Sequence, residues 1–430
     1  MKKVLSAAAS LLLLTTLNLR AYSNLLDDTQ KAKADISTDL LEKKFLSETE
    51  ESFPYFSPSS DIQNSNSDDK SKNEFNHVAK RLEEICSPGW EKLIENLDSI
   101  EEWANKNLTP HLEDYETVFY PFGGPDVTYP LKLFPKQKTY ILVGLEPIGN
   151  FKSIAKNIDN PSAAETFRKA FASYFRKGYF ITSEMVTQLS SQNVRGVLCL
   201  ILASLSKNGY LIHNIIDLSI DAESNCVERQ KGMPDCIKIE FSPADNKDVV
   251  KSLFYVRTDL TNSNRSLSRI LKLVEKSNFI TFIKSASYVL HDRISSNLRE
   301  FILNRSSAVV QDDTGVPFHF FSQNQWNIHA FGTYEKPSLP VFRGFKQNDL
   351  ANFYKNHQTE DIPFFCGYGP THSKTRSNLI CAVRSKQSES DLQAKVEKKE
   401  DEEGGCPCKK GKKNKQLQLA LKNINSKALT

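Results

Sequence analysis

Apolar residues are sparse over residues 22–72 and 386–430 of this 430-residue chain and recur with two different periods between about residues 73 and 385. From Phe75 to Leu108 they fall at helical spacing (Val78, Leu82, Ile85, Leu93, Ile94, Leu97, Ile100), interrupted at Ser87, Pro88 and Gly89, which predicts two helices. Thr139 to Gly144 is a short β-branched run stopped by Pro147, as expected of a buried strand. A helix then opens at Pro161 and runs to Phe175, and a short one covers Ser183 to Leu189. Val194 to Leu205, apolar on nearly every face, reads as an interior helix. After Asn208 and Gly209, the segments Tyr210 to Ile220, Cys236 to Phe241 and Ser252 to Val256 read as strands.

Helical spacing returns over Ser266 to Leu273, Phe279 to Leu290 and Ser295 to Leu303. Extended segments are expected at Ala308 to Gln311, Pro317 to Phe321 and Trp326 to Tyr334, then a helix at Gln347 to Asn356. A closing extended pair is expected at Phe364 to Tyr368 and Leu379 to Val383. Helices and strands come in blocks and not in strict alternation. The expected class is therefore α+β, with a mixed central sheet flanked by helices in a single large domain, residues 73–385.

The ends carry different chemistry. Lys2 and Lys3 precede an apolar stretch from Val4 to Leu14, too short to span a bilayer, so residues 1–21 read as a secretory signal peptide cleaved after Ala21. Residues 22–72 are dominated by Ser, Asp, Asn, Glu and Lys and are expected to be a disordered leader. Residues 386–430 form a charged flexible tail, with an acidic block from Glu397 to Glu403 followed by Cys406, Cys408 and five lysines between Lys409 and Lys415. The expected location is exported, periplasmic or secreted, with no integral span after signal removal.

Cleavage would take Lys2, Lys3 and Arg20 from the 56 basic residues, leaving 53 against 52 acidic ones. Such a balance offers no basic surface for phosphate neutralisation, so nucleic acid is not an expected partner. Hydrophobic residues at 39%, charged residues at 25% and a mean hydropathy of -0.45 exclude a multi-span membrane protein and a wholly disordered chain. Export would permit disulfides. Cys226 with Cys236 and Cys366 with Cys381 each bracket a Gly-containing turn and are the candidate pairs, with free thiols as the alternative.

The most unusual text is Tyr120-Pro121-Phe122-Gly123-Gly124-Pro125-Asp126, followed by the Tyr140 to Gly149 segment that holds Gly144-Leu145-Glu146-Pro147. On these residues, and on Ser285 to Tyr288, Gln311 to Pro317 and Ser377 to Leu379, the chain resembles a family of uncharacterised exported bacterial proteins. The likeness covers roughly Phe75 to Val383 and implies a shared fold and export, with no assigned activity or catalytic residues. The lysine-rich tail is not part of the pattern.

Asp126 follows a Gly-Gly-Pro turn, and Glu146 follows a buried strand, a place where loops converge above a rigid sheet floor. With Asp312 and Asp313 they are the catalytic candidates, for acid/base or metal-assisted hydrolysis. The bland alternative is that each accepts backbone N–H bonds within its own turn or pairs with a lysine or arginine. His291, His319 and Trp326 are binding candidates. No zinc spacing, P-loop or Gly-x-Ser-x-Gly elbow occurs; no metal-ligand set is assigned, and the sequence leaves the cofactor unknown. Aromatic residues cluster from Phe318 to Tyr368, where stacking could serve a carbohydrate or peptide. The expected function is a ligand- or partner-binding protein of the envelope or medium; the alternative is a hydrolase built on the clustered carboxylates.

Overall fold

The structure is a computed structural model that describes residues 69–90, 94–180, 196–322, 324–368 and 377–385. The expected signal peptide, nearly all of the leader, the Ser183 to Leu189 helix and the Cys406 and Cys408 tail lie outside these residues. The described residues up to Val383 belong to one compact unit; a second begins at Arg384, of which Arg384 and Ser385 are described.

Ten strands make one sheet: β1 Thr117–Tyr120, β2 Thr139–Gly144, β3 Tyr210–Ile220, β4 Cys226–Glu228, β5 Asp235–Pro243, β6 Lys251–Arg257, β7 Phe279–Ile283, β8 Ala308–Gln311, β9 Trp326–Gly332 and β10 Asn378–Arg384. Their spatial order is β4-β3-β5-β6-β2-β1-β7-β8-β10-β9. β6, β2, β1, β7 and β8 run parallel to their neighbours, β3, β4, β5 and β6 form an antiparallel meander, and β10 lies antiparallel to β8. The helices are α1 Asp69–Trp90, α2 Ile94–Asn107, α3 Thr109–Leu112, α4 Thr128–Leu133, α5 Phe151–Asn157, α6 Pro161–Lys177, α7 Leu198–Lys207, α8 Leu267–Val274, α9 Ser296–Arg305 and α10 Asn348–Asn356. The α+β expectation is met.

The period of two along each strand divides the apolar residues between two cores. Val118 and Tyr120 of β1, Tyr140 and Leu142 of β2, and Ile280 and Phe282 of β7 join the core under α1, α2, α6 and α7. Phe119, Ile141, Val143 and Ile283 join the opposite one, under α8, α9 and α10. With both faces covered, the central strands read as continuous apolar runs.

That is why the helix expected over Phe279 to Leu290 is instead strand β7 followed by a 3₁₀ turn at Val289–His291. A run buried on both sides has lost the alternation that separates strand from helix, and β-branched Ile280, Thr281 and Ile283 favour the strand. Pro317 to Phe321 likewise closes into a 3₁₀ turn at Phe318–Phe320 and is not a strand. The first expected helix continues through Ser87, Pro88 and Gly89 to Trp90. Strand β1, only four residues long, was not among the expected strands.

Topology now fixes where a site can form. From β1 the chain moves to β2 and then, after the meander, to β6 on the far side of β2; it returns as β7 on the other side of β1. The order of parallel strands reverses between β1 and β7. In open sheets of parallel strands, ligands bind beyond the carboxyl ends at such a reversal.

Candidate functional site

Three of the four candidate acids meet at those carboxyl ends. β1 leads into the Tyr120 to Asp126 corner, where the Gly123 N–H donates to the Tyr120 carbonyl at 3.3 Å and the Asp126 N–H to the Gly123 carbonyl at 3.0 Å. The Gly124 N–H reaches across to the Val143 carbonyl of β2 at 3.1 Å. A Cβ on Gly144 would lie 2.6 Å from Glu146 Oε2 and 2.9 Å from the Gly124 Cα, so the two corners can approach only if that residue is glycine.

Asp126 is buried, and its carboxylate is fully engaged. Oδ2 accepts from Lys284 Nζ at 2.8 Å and from the Tyr120 hydroxyl at 3.2 Å, and Oδ1 accepts from the Tyr174 hydroxyl at 3.2 Å. Lys284, the first residue after β7, also donates to the Gly178 carbonyl at 2.6 Å and lies 3.6 Å from the Tyr129 ring centroid. Burial, followed by the Asp126 charge, pushes the Tyr120 and Tyr174 hydroxyls far above the ordinary phenol range, so both stay protonated donors.

Asp312 and Asp313 follow β8 and are buried side by side. Asp312 Oδ2 accepts the Ser285 N–H at 2.8 Å, and Oδ1 accepts the Thr314 N–H at 2.9 Å and the Thr314 hydroxyl at 2.5 Å. Asp313 accepts from the Tyr288 hydroxyl and, at 2.9 Å, from Asn378 Nδ2. Burial first, and the Asp313 charge second, raise Asp312 to about 7; burial raises Asp313 as well, against the pull of Tyr288 and Asn378. Cys366 marks the convergence: burial pushes its thiol up, and Asp312, Lys284, Asp126 and Asp313 all act on it.

Glu146 stands apart, on the β2 side of the corner. Its Oε2 accepts from the Tyr255 hydroxyl at 3.2 Å, and the same hydroxyl lies 3.0 Å from the Glu146 carbonyl.

No protein-family model matches this chain, and no curated protein matches it. The arrangement is therefore read from its own geometry. Among the described residues, no group of three or more His, Cys, Asp or Glu side chains could hold a metal ion.

The binding candidates separate. His291 ends the 3₁₀ turn after β7, not an α-helix; burial, then His319 and Arg299, push it down to about 4, leaving a neutral ring whose Nε2 has no hydrogen-bond partner. His319 is exposed beside Phe320, with ring centroids 4.2 Å apart. Trp326 is 2% exposed and packs on Phe321, so it belongs to the core and offers no contact surface.

Both expected disulfides are corrected, since Cys226, Cys236, Cys366 and Cys381 are free thiols. Cys226 on β4 lies opposite Ile220 and Cys236 on β5 lies opposite Leu218, so β3 stands between them. Their thiols interact as a hydrogen-bonded pair instead, which brings Cys226 down to about 7. Cys366 and Cys381 are both buried in the apolar core, and burial pushes both thiols up.

The expectations from sequence omitted the loop between β7 and its 3₁₀ turn as a site. Ser285, Ser287 and Tyr288 all have positive φ, at 53°, 52° and 58°. Left-handed non-glycine residues cost on the order of 1–3 kcal/mol each and gather at ligand clamps and switches. The loop is held by the Ser285 N–H on Asp312, by the Ala286 N–H on the Thr314 hydroxyl at 2.8 Å, and by Tyr368, whose hydroxyl donates to the Ser285 carbonyl at 2.6 Å and accepts from Ser287 at 2.8 Å. Ser285 Oγ is buried without a hydrogen-bond partner, so no base activates it as a nucleophile. A β7 read as a strand would have put Lys284 and Ser285 at a strand end, the signal that could have found them.

Proposed function

We propose that this is an exported ligand-binding protein whose ligand seat lies where β1 and β7 leave the sheet, beside the Ser285 to Tyr288 loop. The observation that carries the reading is that loop: three left-handed non-glycine residues and an unpartnered buried hydroxyl, placed where the parallel strand order reverses. A buried hydroxyl without a partner costs about 1–3 kcal/mol, which a ligand acceptor at Ser285 would recover. Half-buried Tyr179 and Tyr368, with ring centroids 4.7 Å apart, supply aromatic walls to the same loop. Binding is favoured over hydrolysis because Asp126, Asp312 and Asp313 each spend both oxygens on internal donors, leaving none to activate water.

Ligand-observed NMR with a mixture of neutral oligosaccharides, oligogalacturonates and tripeptides tests the seat. At least one probe class is expected to bind the full chain and to be lost in Ser285→Trp, which blocks the seat, while Val250→Ala, exposed at the opposite, amino edge of the parallel strands, leaves binding unchanged. Binding insensitive to Ser285→Trp, or no binding by any class, overturns the seat; release of shortened products would restore the hydrolase. Export is tested separately: chain recovered from the producing cell is expected to start after Ala21, and an uncut precursor in the cytoplasm sinks that part.

A further inference from the structure

Asp312 and Asp313 are adjacent in sequence, buried, and together accept five donors from four residues: Ser285, Tyr288, Thr314 by both N–H and O–H, and Asn378. Four of the contacts tie the turn after β8 to itself or to the strained loop, and the fifth ties it to the first residue of β10. We propose that this pair is a proton-operated clasp on the Ser285 to Tyr288 loop, closed while the two carboxyls share one proton and released when the second ionises.

The groups facing the pair leave little to neutralise a second charge. Lys284 is the cation beside it from β7, and Asp126 takes it up at 2.8 Å. Tyr120 from β1, Tyr288 and Tyr368 from the flanking loops, Tyr334 after β9, Tyr354 from α10 and the Cys366 thiol also face the two acids, and all are pushed up and stay neutral. The shared proton has two places to sit without breaking a contact. A protonated Asp312 Oδ1 can donate to the Thr314 hydroxyl, and a protonated Asp313 can donate to the Tyr288 hydroxyl; the Ser285 and Thr314 N–H bonds and the Asn378 bond survive in either case.

The direction follows from linkage. In the closed loop Asp312 holds its proton up to about 7, against an ordinary value of 3.8 once water reaches it. The closed state binds the proton more tightly, so this contribution to closure is fully present below about 3.8, falls as pH rises from there to about 7, and is gone above it. Backbone strain pushes the same way, because Ser285, Ser287 and Tyr288 relax when released. Opening is local and leaves the sheet intact. The consequence for ligand access rests on the proposed seat; the clasp itself does not.

Hydrogen exchange of the loop amides across pH, corrected for the intrinsic rate, reads the clasp without any ligand. Between about pH 4 and pH 7 the opening constant of Ser285 to Tyr288 is expected to rise up to about tenfold per pH unit, and to level off above about pH 7, while the β2 amides keep their protection. In Asp313→Asn the amide oxygen still accepts from Asn378 and the NH₂ donates to Tyr288; with the neighbouring charge gone, Asp312 gives up its proton more readily, so the upper end of the step moves to lower pH or the step disappears. An unchanged step in Asp313→Asn, or loop amides that track β2 across pH, overturns the proposal. Should Asp313→Asn fail to fold, infrared spectra of the wild-type chain decide: a protonated buried-carboxyl band is expected near about pH 6 and lost by about pH 8.5, and its absence near pH 6 overturns the clasp. Loss of the clasp with ligand binding intact refutes only the clasp, and the converse refutes only the seat.

Discussion

The sheet buries a lysine at each end of its parallel strands, and the two are held in opposite ways. At the amino edge, Lys251 opens β6 and donates to the Pro135 and Gln137 carbonyls at 2.8 and 2.6 Å, with the Tyr140 ring 5.8 Å away. No carboxylate is among these contacts; burial, then Lys136, lowers its pKa to about 8. At the carboxyl edge, Lys284 sits against Asp126, with Asp312 and Asp313 nearby. Neutral carbonyls staple a loop shut and leave nothing for a ligand to do. The opposite edge gathers three acids against one lysine, a strained loop and an unpartnered hydroxyl, features that cost stability and that architecture alone does not require.

The largest expected effect comes from breaking the ion pair at the carboxyl edge. Lys284→Met leaves Asp126 buried without its counter-charge and is expected to cost about 3–5 kcal/mol in urea unfolding, as removal of one partner of a buried pair does. Lys284→Met combined with Asp126→Asn is expected to recover most of that loss, because the stranded charge is gone. A double variant no more stable than Lys284→Met would mean that the lysine acts through Gly178 and the Tyr129 ring and not through Asp126. Lys251→Met should be milder, about 1–3 kcal/mol, since it strands two carbonyls and no charge. If it proved the costlier of the two, the contrast between the edges would collapse.

Lys251 also carries a pH signature opposite to that of the Asp312–Asp313 pair. Its folded value lies near 8 and its ordinary value is 10.5, so between them the unfolded chain holds a proton that the folded one has shed. Stability from this group therefore rises with pH across that window, and the rise is expected to vanish in Lys251→Met. Denaturant midpoints at a series of alkaline pH values would show it.

Much of this molecule is legible in its sequence, and the two failures that displaced the site lie in its central strands. Tyr210 to Ile220 declares itself a strand as a long aliphatic-rich run opening after Asn208 and Gly209, and α10 declares itself through its helical period. β1, β2, β7, β8 and β10 are all buried on both faces, so period two disappears. β2, β8 and β10 stay legible as short apolar runs bounded by turns, whereas four-residue β1 gives too little signal and β7 runs on into the apolar residues up to Leu290 and reads as a helix. That error displaced Lys284 and Ser285 from the strand end where they matter. Asp126, Asp312 and Asp313 were found because Gly-Pro corners are conspicuous, yet sequence could not show that Tyr120, Tyr174, Tyr288 and Asn378 would consume their oxygens. Donors 48 and 65 residues away meet these acids only in the fold.

The smallest expected effect lies one residue from the Lys251 staple. Lys138 shares the loop that supplies the Gln137 carbonyl, and it pairs with Glu116 with side chains 62% and 66% exposed. Water already solvates both partners and salt screens them, so Lys138→Met is expected to change stability by no more than about 0.5 kcal/mol, with the difference shrinking in high salt. The pairing of this variant with Lys251→Met isolates burial from position, because both lysines serve the same loop. A Lys138→Met loss as large as that of Lys251→Met would show that any charge change in this loop disturbs it. The amino edge would then owe its stability to the electrostatics of the loop as a whole and not to two satisfied carbonyls, and the contrast with Lys284 would have to be drawn on other residues.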